Sequence, residues 1–154
     1  MEVSVPVDGG ELAALHWAAD APGAPIAVLV HGITSSSRTW YGVMDRLALG
    51  YDVLSKVKPS LVYCAISGFG REGPFAQRPA YDQIIQGASG VMSITGDAAS
   101  APLRVGYPVS DTVGGLTAAF AVASALVGAR QTGTGRDIDV SMLEATLATM
   151  GWVV

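Results

Sequence analysis

The chain has 154 residues, half of them hydrophobic and 14% charged. That composition excludes intrinsic disorder, because so apolar a chain buries enough surface to offset its ordering entropy. A formal net charge of -4, with nine basic residues and no basic run, argues against a nucleic-acid surface or a polybasic membrane anchor. The length suits one ordinary domain. The single cysteine, Cys64, allows no internal disulfide and no cysteine-based metal site, which points to a reducing compartment. MEVSVPVDGG opens with acidic residues where a secretory leader carries positive charge, so the chain reads as cytoplasmic.

In chain order, residues 2–7 and 11–18 alternate around Asp8-Gly9-Gly10, the pattern of a β-hairpin. Residues 26–30 (IAVLV) are a short, continuous apolar run, expected for a strand buried on both faces. His31-Gly32 and a polar loop follow, and Trp40, Val43, Met44 and Leu47 then share one face of a helix expected over 38–47. VLVHGITSSSRTW in this setting resembles the first strand and oxyanion loop of the α/β-hydrolases. That resemblance makes His31, Gly32 and Ile33 an oxyanion-loop-like element, in which backbone N–H groups help bind a tetrahedral oxyanion. No G-x-S-x-G occurs; the nearest stretch, Gly87-Ala88-Ser89-Gly90-Val91, lacks the last glycine. The two histidines, His16 and His31, come too early for the Ser, acid, His order, so the chain assembles no hydrolase triad.

Residues 51–57 suggest a short helix and Ser60–Ser67 (SLVYCAIS) a buried strand. Gly68-Phe69-Gly70-Arg71-Glu72-Gly73 follows as a literal G-x-G-x-x-G. A dinucleotide fingerprint requires a helix to start at that loop, and Pro74 and Pro79 forbid one before about Tyr81. Tyr81–Gly90 reads as a short helix ending at glycine. Val113–Ala129 has no charge, but it is short of the about 20 strongly apolar residues that a bilayer requires and is rich in Ala and Gly. It is expected to be a buried helix packed through small residues, not a membrane span. Arg136–Val140 alternates as a strand with Asp137 and Asp139 toward solvent, and Ser141 with Glu144 forms a capping box for a last helix.

SGFGREGPFAQRPAYDQIIQGASGVMSITGD, then PLRVGYPVSDTVGG, then TGTGRDIDVSMLEA, resemble the family III CoA-transferases over residues 49–154. These include formyl-CoA and carnitine-CoA transferases, together with α-methylacyl-CoA racemases. The resemblance implies an α/β fold that is incomplete here: a partial transferase domain over 49–154, preceded over 1–48 by a hydrolase-like hairpin, strand and helix. Family members are longer homodimers, so the chain reads as a chimeric fragment, expected to be inactive by itself. The alternatives are an esterase-like protein and a non-catalytic fusion remnant.

The resemblance also implies chemistry. The substrates are an acyl-CoA thioester and a carboxylate acceptor, with no cofactor beyond that thioester and no metal. The aspartate of the P-x-x-D-x-x-G-G pattern, which attacks the thioester and passes through an aspartyl-CoA intermediate, falls on Asp111. A carboxylate is already ionised at neutral pH and requires positioning, not a base. Backbone N–H groups and the dipole of a helix beginning near Thr112 are expected to favour its anionic form, and nearby donors to help hold the oxyanion. Taken without the family, Asp111 is an ordinary N-cap, with Ser110 competing for that role. Arg78, Tyr81 and Arg104 are candidate CoA contacts, and Arg71 is a further cation for the CoA phosphates, with surface solvation as the plainer role for each of the three arginines. The racemases carry G-H-D where this chain has Ala80-Tyr81-Asp82, and a phenol, with a reference pKa of about 10, is a poor base.

Overall fold

The fold is given by a computed structural model, which describes the backbone of Glu2–Val7, Gly10–Leu15 and Ala27–Leu29 and all of residues 49–151. Alternation in the first fifteen residues produces strands β1 (Glu2–Val7) and β2 (Gly10–Leu15). They pair antiparallel with Val7 opposite Gly10, so only Asp8 and Gly9 join them. The next apolar run contains β3 (Ala27–Leu29). The oxyanion-loop-like residues His31, Gly32 and Ile33, and the helix expected over 38–47, lie outside the described residues.

Strand β3 pairs in parallel with β4 (Val62–Ser67), which pairs in parallel with β5 (Arg136–Ser141). The central strand is β4. Its Val62, Tyr63 and Cys64 are almost fully buried, as a central parallel strand demands. Burial also pushes the Cys64 thiol pKa up, and the nearby Asp139 carboxylate adds to the effect. The thiol packs as a small hydrophobe, as expected.

Helix α1 (Tyr51–Val57) precedes β4 and sets the Tyr51 ring 6.2 Å from that of Tyr63. After β4 the chain runs without helix through both glycine turns and both prolines until α2 (Asp82–Ser89). This helix stops at Gly90, whose φ of 85° is left-handed. A 3-10 turn, Val91–Ile94, and a loop lead to α3 (Val109–Thr132), and α4 (Met142–Ala148) comes after β5. Ser141 caps α4 by accepting the Glu144 N–H at 3.2 Å, the expected capping contact.

One expectation is corrected here: helix α3, expected to be a buried helix, is buried along one side only. Ser110, Gly114, Ala118, Val122 and Ala129 form one buried line, and Ala118, Val122 and Ala129 pack on Val62, Cys64 and Val140 of the sheet. Small residues on that line let the helix lie close to the sheet, while Leu116, Phe120 and Val127 face outward on the other side. By length and composition alone, the 24-residue helix is long and apolar enough to cross a bilayer. Asp137 and Asp139 are exposed, as expected, and the structure gives them a partner in Arg71. The Arg71 guanidinium grips Asp137 with two hydrogen bonds, of 2.8 and 2.9 Å, and its backbone N–H donates to Asp139 Oδ2 at 2.7 Å. The glycine loop after β4 is thereby fastened to β5.

Close packing requires glycine at two positions next to the strands. A Cβ on Gly68 would stand 2.4 Å from the Cβ of Ala80. Gly135 is tighter still, because a Cβ there would fall 1.7 Å from the Leu61 carbonyl oxygen, where Arg136 N–H donates to that same oxygen to start the β4–β5 ladder. Gly135→Ala is therefore expected to cost more than about 2 kcal/mol, since backbone and not a flexible side chain must give way. Gly115→Ala, in open space on α3, is expected to stabilise by up to about 1 kcal/mol through helix propensity. Urea denaturation midpoints of the two variants check the opposite signs.

Candidate active site

A long helix has backbone N–H groups at its start that need acceptors. In α3 the residue before the helix is Pro108, which has no N–H and makes no side-chain cap. Val109 N–H donates to the Tyr107 carbonyl at 2.8 Å. The next two donors reach across to another helix: Ser110 N–H at 2.7 Å and Asp111 N–H at 3.2 Å both donate to Oδ1 of Asp82. Thr112 N–H closes the first intrahelical bond on the Pro108 carbonyl.

Asp82 is 5% exposed and begins α2. A carboxylate so buried is costly unless its oxygens are occupied, and here both are. Its Oδ2 accepts from Gln86 Nε2 at 2.5 Å. Gln86, itself fully buried, turns its Oε1 to the Val105 N–H at 2.8 Å and also approaches the Tyr107 carbonyl at 3.4 Å through Nε2. One carboxylate and one amide thus join α2, the 105–107 segment and the head of α3.

This arrangement corrects the expected cap. Helix α3 starts at Val109, three residues before the expected start near Thr112, so neither Asp111 nor Ser110 is its N-cap. Asp111 lies inside the first turn with an exposed side chain, where the helix dipole favours a negative charge. Ser110 is fully buried, and its hydroxyl has no hydrogen-bond partner among the described residues. The N–H groups of Val109, Ser110 and Asp111 already have acceptors in Tyr107 and Asp82.

The other expected site residues divide. Tyr81 immediately precedes α2, is 59% exposed and is the chain neighbour of Asp82. Arg104 is exposed and adjoins Val105, which Gln86 holds. The same clasp thereby brings Tyr81, Arg104 and Asp111 around one point of the fold. Arg78 instead stacks its guanidinium over Phe75, 4.4 Å from the ring centroid, with Phe69 edge-on to Phe75 at 5.5 Å. Asp82 and Gln86 were missed by sequence reasoning. The signal for them was present: Asp82, Ile85, Gln86 and Ser89 occupy helical core spacing, yet three of the four are polar.

An exposed carboxylate in the first turn of a sheet-packed helix, with its backbone anchored from a second helix, defines an α/β protein with a candidate nucleophile at a helix head. The family model for CoA-transferase family III matches residues 37–154, and the chain belongs to that family. The match begins twelve residues before the segment that resembled it on motifs. The chain is 49% identical over 108 residues to an acetyl-CoA:oxalate CoA-transferase of Acetobacter aceti, covering 70% of this chain and 28% of that protein. It is 34% identical over 112 residues to a succinyl-CoA:glutarate CoA-transferase of Homo sapiens, covering 73% and 26%. Among solved structures, a CAIB/BAIF family protein from Brucella suis superposes with a TM-score of 0.68 at 36% identity, over 71% of this chain and 29% of that one. The chain spans about a quarter of the length of these curated relatives.

The different uses of the two aspartates have a measurable consequence. Asp82→Ala strands two backbone donors and the Gln86 amide in a buried site, and is expected to destabilise by about 2–4 kcal/mol. Asp111→Asn, at an exposed position, is expected to cost less than about 1 kcal/mol. Chemical denaturation of the two variants beside the parent checks the contrast.

Proposed function

We propose that this chain carries the nucleophile-bearing segment of an acyl-CoA:carboxylate CoA-transferase, with Asp111 as the nucleophile. The observation that carries the reading is the exposed Asp111 carboxylate in the first turn of α3, its backbone held by Asp82 within a family III segment. A carboxylate oxygen of Asp111 attacks the thioester carbonyl carbon, and the resulting tetrahedral oxyanion collapses by expelling the CoA thiolate. That leaves an acyl-aspartyl anhydride. The thiolate then attacks the aspartyl carbonyl, the acyl group departs as a carboxylate, and Asp111 is left as an aspartyl-CoA thioester. An incoming carboxylate reverses the sequence and leaves with CoA. No proton has to be removed from the nucleophile, so the protein's task is positioning and oxyanion stabilisation. With the first N–H groups of α3 already engaged, the oxyanion donors belong to other parts of the site.

Arg104 and Tyr81, the chain neighbours of the clasped Val105 and Asp82, suit the CoA moiety, Arg104 through a phosphate and Tyr81 through its hydroxyl. Arg78, stacked on Phe75, is left out of this reading. The direct test replaces the matching 108-residue stretch of the Acetobacter aceti enzyme with that of this chain. The graft is expected to transfer CoA from acetyl-CoA to oxalate, and hydroxylamine is expected to inactivate it only when acyl-CoA is present. Asp111→Asn in the graft is expected to abolish transfer, because the amide keeps the shape and loses the anionic nucleophile. Retained turnover in that variant would remove Asp111 from the chemistry.

Racemisation, the other chemistry within this family, requires bases beside the α-carbon of the acyl group. Tyr81 stands where the racemases place histidine, and both oxygens of the neighbouring Asp82 are committed to hydrogen bonds. The graft is accordingly expected to leave the α-proton of a 2-methylacyl-CoA in place. Deuterium incorporation from heavy water, tracked by mass spectrometry during turnover, checks this; exchange at the rate of transfer would contradict it.

A further inference from the structure

The Asp82 carboxylate that receives the head of α3 is itself held from behind. Gln86 is fully buried, and an amide in that position has to satisfy one carbonyl and two N–H donors without water. It does so in one orientation. Oε1 faces the Val105 N–H, and Nε2 faces Asp82 Oδ2 and the Tyr107 carbonyl. The reverse orientation would set amide oxygen against carboxylate oxygen and amide N–H against backbone N–H, so the amide cannot turn over without losing both principal bonds. The plane of the Asp82 carboxylate is thereby fixed, and with it the direction of the Oδ1 lone pairs that take the Ser110 and Asp111 N–H groups. The same side chain pins the segment just after Arg104.

We infer that Gln86 is a positioning residue for Asp111: through Asp82 it sets the backbone of the nucleophile, and through Val105 it places the Arg104–Tyr107 segment on the same clasp. This rests on the reading of Asp111 as nucleophile given above, although the hydrogen-bond relay stands independently of it. Two substitutions separate the two arms of the relay. Gln86→Glu keeps an oxygen for the Val105 N–H but replaces the donor to Asp82 with a second carboxylate, which repels it. Gln86→Leu, apolar and similar in volume, loses both contacts.

In the 154-residue chain at neutral pH, Gln86→Glu is expected to speed amide hydrogen exchange at Ser110 and Asp111 about tenfold or more. Val105 and the β4 amides of Tyr63 and Cys64 are expected to keep their protection. Gln86→Leu is expected to release Val105 as well. In the grafted transferase, Gln86→Glu is expected to lower kcat about tenfold with KM for acyl-CoA held within about twofold, and Gln86→Leu to raise that KM in addition. Unchanged exchange at Ser110 and Asp111 in Gln86→Glu, or a KM change as large as the kcat loss, overturns the inference. Uniform loss of protection through β4 in both variants also overturns it, by assigning Gln86 to global stability. If Asp111→Asn in the graft keeps its turnover, the nucleophile reading fails by itself, and the exchange data still report whether Gln86 holds Asp82.

Discussion

The head of α3 depends on a single buried carboxylate. Pro108 makes no side-chain cap, so the helix takes its cap from Asp82, 28 residues earlier in the chain. The arrangement is electrostatically coherent without a basic partner to Asp82 among the described residues. Asp82 receives charge-assisted hydrogen bonds from two helix N–H groups and one amide, and it lies at the positive end of a 24-residue helix dipole. Each such bond to a charged group contributes about 1.5–3 kcal/mol, enough to offset much of the desolvation of one carboxylate. The cost of this device is that Asp82 is wholly committed to structure. Its gain is that Asp111 needs no capping role and keeps an exposed side chain.

The sheet beneath supplies the rigidity that such positioning requires. Strand β4 is flanked on both sides, α3 lies along it on small side chains, and Met142 of α4 meets Gly114 of α3 where a Cβ would stand 3.1 Å from the Met142 Cγ. The loop from Gly68 to Gly73 has the letters of a phosphate-binding turn and a different use. Arg71 fastens it to Asp137 and Asp139, the Gly68 carbonyl accepts the Leu143 N–H at 3.0 Å, and Gly70 and Gly73 turn the chain through left-handed conformations. No helix begins at Gly73 itself; a proline-bearing connection instead delivers Tyr81 and Asp82 to α2.

Features set by local chemistry were legible in the sequence. The 51–57 helix, the Ser141–Glu144 capping box, the helix end at Gly90 and the buried strand through Val62–Ser67 are all dictated by neighbouring residues. Features set by long-range contact were not. No local pattern announces that a helix will be capped from 28 residues away, so the sequence places the start of α3 three residues late. The face of α2 was hidden for a related reason: hydropathy reads a polar residue as exposed, whereas Asp82, Gln86 and Ser89 are buried because they satisfy one another and the backbone around them. Helix α3 shows the converse. Its uniform apolarity suggests burial all round, yet only one line of it meets the sheet, leaving Leu116, Phe120 and Val127 outside.

The division between Asp82 and Asp111 shows why motif and geometry have to be combined. Both aspartates lie at the start of a helix, both lie within the stretch that carries the family resemblance, and composition treats them alike. Burial and bonding separate them. A nucleophilic carboxylate must reach a substrate carbon with an oxygen that is not already committed to a buried network, and Asp82 offers none. Asp111 is exposed at the helix head, and its own N–H makes one of the bonds that anchor it. The backbone of Asp111 is therefore restrained while its side chain is exposed, and that combination, more than the identity of the residue, is what the proposed nucleophilic role requires.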